Sequence, residues 1–184
     1  MAVFQRDAWL SALVQSEQAM KTAARLELIA VNPASAPEIH LLYQKSPTYF
    51  QLIGMEIPTL GDVEREVEAL AHDPQRRCCL VAAPVHKEEH PIVGYLDYKL
   101  HYPEPMAATI SLLLIDEEHQ GRGFGSLALE HLESLLSGDL RRLYAVVYGN
   151  NLAAQRFWEA RGFRYFKDGG PSLRWYVKEL ASKI

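Results

Sequence analysis

The sequence predicts one α/β or α+β domain built around a mixed β-sheet. Helical and extended patterns alternate along the chain, and 184 residues suit one domain better than two. Hydrophobic residues make up 48% and charged residues 23%, which is ordinary for a globular protein. We therefore expect residues 1–184 to form a single domain around its own hydrophobic core.

The first part of the chain is predicted to contain three helices and one strand. Phe4–Ala24 has helical spacing, so residues 1–24 are expected to form an N-terminal helical extension. A strand over Arg25–Val31 and a short helix around Ile39 follow. Thr59, with Asp62 three residues later, is typical of a capping box that begins another helix. Between these two helices we expect a loop that holds Pro47, Tyr49, Phe50, Gly54 and Pro58.

The second part is predicted to be rich in strands. Prolines and glycines separate the extended runs, which are Cys78–Pro84, Ile92–Leu100, Ala107–Ile115, Arg142–Tyr148, Phe163–Phe166 and Leu173–Glu179. Two helices are expected between them, over Phe124–Ser137 and Leu152–Arg161, with Gly138 and Gly162 as their stops. Strands and helices therefore mix along this part as well.

Composition argues against several classes of partner. The net charge is −4 with no basic excess, so we expect no nucleic-acid partner. No segment approaches the roughly 20 apolar residues of a membrane span, and the N-terminus lacks a secretory pattern. Cys78 and Cys79 are adjacent, show no metal-ligand spacing, and are interpreted as strand residues in a reducing cytosol. These features predict a cytoplasmic protein without a metal or a membrane partner.

The most informative segment is a glycine-rich turn between a strand and a helix. Asp116-Glu117-Glu118-His119 leads into Gln120-Gly121-Arg122-Gly123-Phe124-Gly125. Glycines let the main chain approach a ligand closely, and the first amides of a helix lack intrahelical partners. A diphosphate at that position would accept several of those amides. The alternative is a plain turn before a helix. The spacing fits neither the dinucleotide fingerprint nor a P-loop.

The segment from Leu113 to Gly125 resembles the acyl-CoA signature of the GNAT acetyltransferases. That pattern is a strand, then Gln/Arg-x-x-Gly-x-Gly/Ala, then a helix, and Gln120, Gly123 and Gly125 fill it. The resemblance implies that the loop amides hold the CoA pyrophosphate and that the strand backbone pairs with the pantetheine arm. It assigns cofactor binding to Leu113, Leu114, Ile115, Gln120, Gly121, Arg122, Gly123, Phe124, Gly125 and Ser126.

A second match lies downstream and is similar to the family's Asn-x-x-Ala helix with its closing Gly-Phe. Asn151 falls on the asparagine that commonly touches pantetheine, and it can also cap the helix that follows. Trp158 stands where many members have a tyrosine that protonates the departing sulfur. An indole does not give up its proton, so Trp158 is interpreted as a core side chain, with Tyr148 or Tyr176 as substitutes for the acid.

The resemblance implies a GNAT-type domain with a mixed, mostly antiparallel central sheet flanked by helices. It also implies an N-acetyltransferase that moves an acetyl group from acetyl-CoA, without a metal, to a primary amine of a small-molecule or peptide acceptor. The alternative is a non-catalytic acyl-CoA sensor of the same fold. Family members often form homodimers. The acceptor wall is expected at Tyr43, Tyr49 and Phe50, whose alternative role is core packing.

Candidate general bases lie on the strand and loop before the signature. Asp97 and His101 are an even number of residues apart, so a regular strand would place them on one face. A carboxylate and an imidazole on one face can relay a proton from the amine, and both are predicted as catalytic residues. Glu104 is a further candidate. Each of the three is alternatively a surface polar residue.

Overall fold

A computed structural model describes residues 26–83, 91–136 and 138–181. Within these ranges the strands are β1 (Glu27–Ala30), β2 (Arg76–Ala82), β3 (Ile92–Leu100), β4 (Ala107–Ile115), β5 (Arg142–Tyr148), β6 (Arg164–Gly170) and β7 (Leu173–Glu179). The α-helices are α1 (Ala36–Gln44), α2 (Pro47–Ile53), α3 (Leu60–Ala69), α4 (Phe124–Leu136) and α5 (Leu152–Glu159). The helix predicted over Phe4–Ala24 lies outside the described residues. Of the helices described, none combines the length and apolar character that a bilayer crossing requires.

The strands form one seven-stranded sheet in the order β1-β2-β3-β4-β5-β7-β6. Neighbouring strands are antiparallel except β4 and β5, which are parallel. The prediction of a mixed, mostly antiparallel sheet flanked by helices is therefore confirmed. The parallel pair is short, because it joins only Ala107–Ile110 of β4 to Arg142–Ala145 of β5.

Helices cover both faces of the sheet and create two separate cores. On one face, α4 and α5 bury side chains such as Leu132 and Trp158 against Val93 and Leu143. On the other face, α1, α2 and α3 bury a different set against β2 and β3, which includes Ile39, Tyr43, Phe50, Val63, Val67, Leu80 and Tyr95. Because successive strand side chains alternate between faces, β2, β3 and β4 each contribute to both cores.

The predicted capping box is present at the start of α3. The Thr59 hydroxyl accepts the Asp62 amide at 3.2 Å, and the Asp62 carboxylate accepts the Thr59 amide at 2.9 Å. Both amides lie in the first turn, where a helix supplies no partner of its own. The sequence signal therefore places this helix start correctly.

The prediction of a loop from Pro47 was wrong, because Pro47–Ile53 forms helix α2. Pro47 takes the first helical position, where a missing amide costs nothing. Gly54 ends the helix in the left-handed conformation with φ of 71°. The same proline and glycine that suggested a loop are the start and stop signals of a short helix.

The two cysteines lie on opposite faces of β2, as their adjacent positions predict. Cys78 packs into the core beneath α1 and α3, whereas Cys79 contacts the core beneath α4. Both thiols are free. Burial raises the pKa of Cys78 to about 12, and burial also raises the pKa of Cys79.

We expect neither thiol to react quickly with a disulfide reagent in the folded protein at pH 8. With a pKa of about 12 the reactive thiolate of Cys78 is roughly one molecule in ten thousand. Colorimetric thiol titration should detect both cysteines only in denaturant. A rapid stoichiometric reaction of the buried Cys78 or of the half-buried Cys79 in the native protein would contradict this protection.

Candidate active site

A cleft of about 730 Å³ opens where β4 and β5 separate. Its walls are the second half of β4, the end of β5, helix α2, the first turn of α4 and one side of α5. The loop between β4 and α4 forms its outer end. The cleft therefore collects residues from most of the elements that surround the parallel strand pair.

The cleft exists because two parallel neighbours stop pairing halfway along. Ile110 and Ala145 are the last paired residues of β4 and β5. Beyond them β5 pairs only with β7, while β4 continues beside β3. A register shift opposite Asp97 and Tyr98 marks a bulge in β4 at the point of separation, and bulges bend a strand in this way.

The open edge of β4 presents backbone groups to the gap. The Asp116 amide donates to the Val93 carbonyl of β3 at 3.0 Å. Along an antiparallel strand, the backbone amide and carbonyl groups of successive residues point alternately to one side and to the other. Leu114, two residues before Asp116, therefore also directs its amide and carbonyl towards β3. Leu113 and Ile115 direct their amide and carbonyl groups towards the cleft. This edge is suited to pairing with an extended ligand.

The loop before α4 leaves space at its glycines. Gly121 and Gly123 have φ of 73° and 87°, and a Cβ atom at either would meet nothing within 4 Å. The Ser126 amide donates to the Gly123 carbonyl at 3.0 Å, so helical hydrogen bonding begins there. The preceding amides and the positive end of the helix dipole face an open volume, which suits an anion.

Side chains of the loop itself fix its shape. The side-chain nitrogen of Gln120 donates to the Ile115 carbonyl at 2.8 Å, which ties the loop to the end of β4. Asp116 is fully buried, and its Oδ1 lies 2.6 Å from Nδ1 of His119. Oδ2 of Asp116 has no hydrogen-bond partner among the described residues. These contacts hold the turn in place between strand and helix.

Helix α2 spans the gap between the separated strands. At its start the Thr48 amide donates to Oε1 of Glu117, just after β4, at 2.8 Å. At its end the Leu52 carbonyl packs against Gly149, just after β5, where a Cβ atom would lie 2.8 Å away. The helix therefore bridges both edges of the cleft on the side of the α1–α3 layer.

Two tyrosines line the cleft at this bridge. Tyr49 of α2 and Tyr148 at the end of β5 both line the cleft. Burial raises the pKa of Tyr49 to about 12, and the proximity of Tyr148 adds to the rise. The Tyr49 phenol is therefore neutral at physiological pH and is available as a hydrogen-bond donor.

The opposite wall is helix α5. Oδ1 of Asn151 accepts the Ala154 amide at 2.9 Å, so Asn151 caps the helix as it lines the cleft. Trp158 is 5% exposed and packs edge-to-face against Phe157 and Phe163, with ring centroids 4.9 and 5.0 Å away. Trp158 therefore has the surroundings of a core side chain while it forms part of the cleft floor.

Most residues that the sequence assigns to the coenzyme lie together. The cleft is lined by Leu113, Leu114, Ile115, Gln120, Gly121, Gly123, Phe124, Gly125, Ser126 and Asn151, whereas Arg122 is exposed outside it. Of the predicted acceptor wall, Tyr49 lines the cleft. Tyr43 and Phe50 are buried in the core, with their rings 5.2 Å apart.

The predicted bases lie away from the cleft lining. Asp97 is 6% exposed, and its carboxylate accepts hydrogen bonds from Arg76, the closest at 2.6 Å. Arg76 also donates to Glu66 at 2.5 Å. His101 has φ of 54° in the turn after β3, at the end of β4 opposite the glycine loop. Because the strand ends before His101, the structure does not form the face that Asp97 and His101 were expected to share.

Glu104 also lies at that far end. It accepts hydrogen bonds from Arg142 and from the Tyr144 hydroxyl, both at 2.9 Å. Its structural surroundings are therefore those of a surface polar residue tied to β5.

Sequence reasoning missed three ionisable groups that line the cleft. These are Glu117, His119 and Arg161. Glu117 and His119 lie just before the Gln-x-x-Gly-x-Gly pattern, which does not specify the residues at these positions. Arg161 directly precedes the closing Gly-Phe, and only the packing of α5 against α4 brings it to the cleft. Among the described lining residues, Glu117 is the one carboxylate and Arg161 the one arginine, with no lysine.

Comparisons with known proteins agree with this geometry. The model of the acetyltransferase (GNAT) family matches residues 37–163. A crystal structure of an acetyltransferase from Thermus thermophilus is 53% identical, with a TM-score of 0.78, over 85% of this chain and 97% of that one. The chain belongs to the GNAT acetyltransferase family. This membership supports acetyl transfer as the general activity.

More distant structures share the GNAT fold at low identity. Spermidine N-acetyltransferase from Vibrio cholerae, in complex with CoA and spermine, has a TM-score of 0.69 at 18% identity, over 85% of this chain and 96% of that one. A ribosomal alpha-N-protein acetyltransferase in complex with coenzyme A has a TM-score of 0.65 at 19% identity, over 85% and 94%. A comparison with curated proteins finds no match. Within the described ranges, no cluster of three or more His, Cys, Asp or Glu residues could hold a metal.

The bridge formed by α2 predicts a specific cost for a side chain at Gly149. Gly149→Ala adds a Cβ atom 2.8 Å from the Leu52 carbonyl, and Gly149 has a φ of 63°. The variant therefore suffers both a steric clash and backbone strain. Gly54→Ala is the matched control, because its φ is 71° and its Cβ would meet nothing. We expect Gly149→Ala to lose at least about 1 kcal/mol more in urea unfolding than the control. Equal losses would show that α2 does not depend on this contact.

The surroundings of Asp97 predict that it stabilises the fold. We expect Asp97→Asn to lower the free energy of unfolding by about 2 kcal/mol, since Arg76 loses a charged, buried partner. Glu66→Gln, at the more exposed partner of the same arginine, should cost less than about 1 kcal/mol. Chemical denaturation and steady-state kinetics test both variants. Unchanged stability with a turnover number at least about a hundredfold lower would instead support the catalytic prediction.

Proposed function

We propose that this protein is an N-acetyltransferase that transfers an acetyl group from acetyl-CoA to a primary amine of a small-molecule or peptide acceptor. The observation that carries the proposal is the continuity of the cleft, which joins the open glycine loop at the start of α4 to an unpaired strand edge. A molecule with a diphosphate at one end and an extended amide-containing arm fits both features. Coenzyme A has this chemistry.

The diphosphate would lie on the amides around Gly121 and Gly123, where the positive end of α4 stabilises negative charge. The pantetheine arm would run along β4 and pair with Leu113 and Ile115, in place of the missing β5 ladder. Asn151, whose side-chain oxygen caps α5, retains its amide nitrogen for a pantetheine carbonyl. These positions keep the sequence-based assignment of the coenzyme ligands.

The reaction requires a neutral amine. An alkylamine has a pKa of about 10.4, so only about one molecule in a thousand is unprotonated at neutral pH. The nitrogen lone pair attacks the thioester carbon, the carbonyl electrons move to oxygen, and their return breaks the carbon–sulfur bond. The amine loses one proton, the acetyl group stays on nitrogen, and CoA leaves as the thiolate or thiol.

The oxygen that becomes negative needs a hydrogen-bond donor. The resemblance to the family implies that a backbone amide of β4 is this donor, and Leu114 and Ile115 are the candidates. Ile115 is favoured, because alternation along β4 directs its amide into the cleft and that of Leu114 towards β3. A donor already fixed in a strand stabilises the developing charge without reorganisation.

Departure of the CoA sulfur does not require a proton from Trp158, which stands where many family members have a tyrosine. A thiol with a pKa of about 8.5 is a tolerable leaving group as its anion. Of the two tyrosines considered as substitutes, Tyr148 lines the cleft, whereas Tyr176 is buried outside it. Tyr148 is therefore the better placed of the two to protonate sulfur.

The general base remains a prediction. Asp97 is engaged by Arg76, and His101 lies at the far end of β4, so the geometry adds no support to either. Glu117 and His119 line the cleft and can accept a proton directly or through water. One such route is necessary, because the acceptor amine is almost entirely protonated at neutral pH and must lose a proton before its lone pair can attack.

Two related structures support an amine acceptor. One is named a spermidine N-acetyltransferase, and spermidine carries primary amines, while the other is named an alpha-N-protein acetyltransferase. We place the acceptor beside Tyr49, at the α2 side of the cleft, where a neutral phenol can hydrogen-bond it. A cytoplasmic location and a homodimer remain predictions from the sequence.

Isothermal titration with CoA and release of free thiol from acetyl-CoA test the proposal together. We expect binding, and thiol release with at least one member of a panel of polyamines, aminoglycosides and peptides. Binding without turnover on any amine would favour the alternative of an acyl-CoA sensor. An absence of binding heat at millimolar CoA would contradict both.

Gly123→Asp tests the coenzyme loop. The carboxylate would enter the open space beside the predicted diphosphate, so we expect CoA affinity to fall at least about a hundredfold. Gly54→Asp is the matched control, since Gly54 has a similar positive φ outside the cleft. Circular dichroism checks that both variants fold. Unchanged CoA affinity in folded Gly123→Asp would refute the loop assignment.

A further inference from the structure

We infer that Arg161 is a ligand for a phosphate group of coenzyme A, an inference that rests on the proposed function. Neither the loop amides nor the strand edge provides a full positive charge, and the chain carries a net charge of −4. Any cation that balances the coenzyme phosphates must therefore be placed locally. Arg161 is the one arginine among the described residues of the cleft wall, which includes no lysine.

Arg161 reaches the start of α4 from just beyond the end of α5. Its Nε donates to the Ser126 hydroxyl at 3.1 Å, and its Nη2 contacts the same oxygen. Ser126 lies in the first turn of α4, directly beside the open glycine loop. The guanidinium therefore adds its charge to the positive end of the helix dipole.

The guanidinium is held in a fixed orientation. Its Nη1 donates to the Phe157 carbonyl at 3.0 Å, and its carbon lies 3.9 Å above the centre of the Phe157 ring. The same ring packs against the loop, because a Cβ atom at Gly125 would lie 3.2 Å from it. Loop, ring and guanidinium thus form a stack whose members fix one another.

Donor capacity remains after these contacts. A guanidinium has five N–H groups, and the three hydrogen bonds described leave two of them for a ligand. Ser126 receives its hydrogen bonds from Arg161, so its own hydroxyl proton is also free to donate. Planar N–H groups and a hydroxyl are a chemical match for phosphate oxygens.

Another arginine provides a matched control. Arg156 lies on α5, but it is exposed and does not line the cleft. Removal of Arg156 changes the net charge by the same amount as removal of Arg161. Only the position of the charge relative to the cleft differs.

The experiment measures CoA affinity by isothermal titration for the wild type, Arg161→Met, Arg161→Lys and Arg156→Met. We expect Arg161→Met to bind CoA about 10- to 100-fold more weakly, because charge-assisted hydrogen bonds are lost. Arg161→Lys should recover part of the loss. Arg156→Met should stay within about twofold of the wild type.

Truncated ligands identify the phosphate. If the loss in Arg161→Met is equally large with dephospho-CoA, the partner is the diphosphate, and if it disappears, the partner is the 3′-phosphate. Either result supports the inference. Wild-type CoA affinity in folded Arg161→Met would overturn it, as would an equal fold-loss with pantetheine, which has no phosphate. Failure of the wild type to bind CoA would instead refute the proposed function.

Discussion

The site depends on the early end of one parallel strand pair. β4 and β5 share four paired positions and then separate, which leaves backbone donors and acceptors of β4 without a strand beside them. Such groups need water or a ligand as partners, since an unpaired amide or carbonyl in a buried place is costly. The gap is therefore a place where an extended ligand replaces a missing part of the sheet.

The surrounding elements keep that gap open. Helix α2 contacts the chain just after β4 through Thr48 and Glu117, and just after β5 through Leu52 and Gly149. Aromatic packing of Trp158 fixes α5 on the other side. The gap between β4 and β5 therefore has a fixed shape, because these close contacts hold the chain on both of its sides.

Much of this architecture is predictable from the sequence. The glycine spacing after β4 predicts the loop and the strand edge before it, and the Asn-x-x-Ala pattern predicts α5. These features are predictable because they depend on residues close together in the sequence. Helix α2 was missed, since Pro47 and Gly54 mark a helix as well as a loop. Asp97 is bound by Arg76, 21 positions away, and Arg161 by Ser126, 35 positions away. The periodicity of one strand or helix carries no information about such distant partners.

The separation of the two cores has a consequence for diversification. The layer of α1, α2 and α3 rests on one face of the sheet, and α4 with α5 rests on the other, so their apolar side chains do not share one packed interior. Substitutions in the layer that we propose to face the amine can be absorbed there without repacking the helices that we propose to hold the coenzyme. On that proposal, a new acceptor preference can arise, by natural drift or by engineering, on an unchanged cofactor platform.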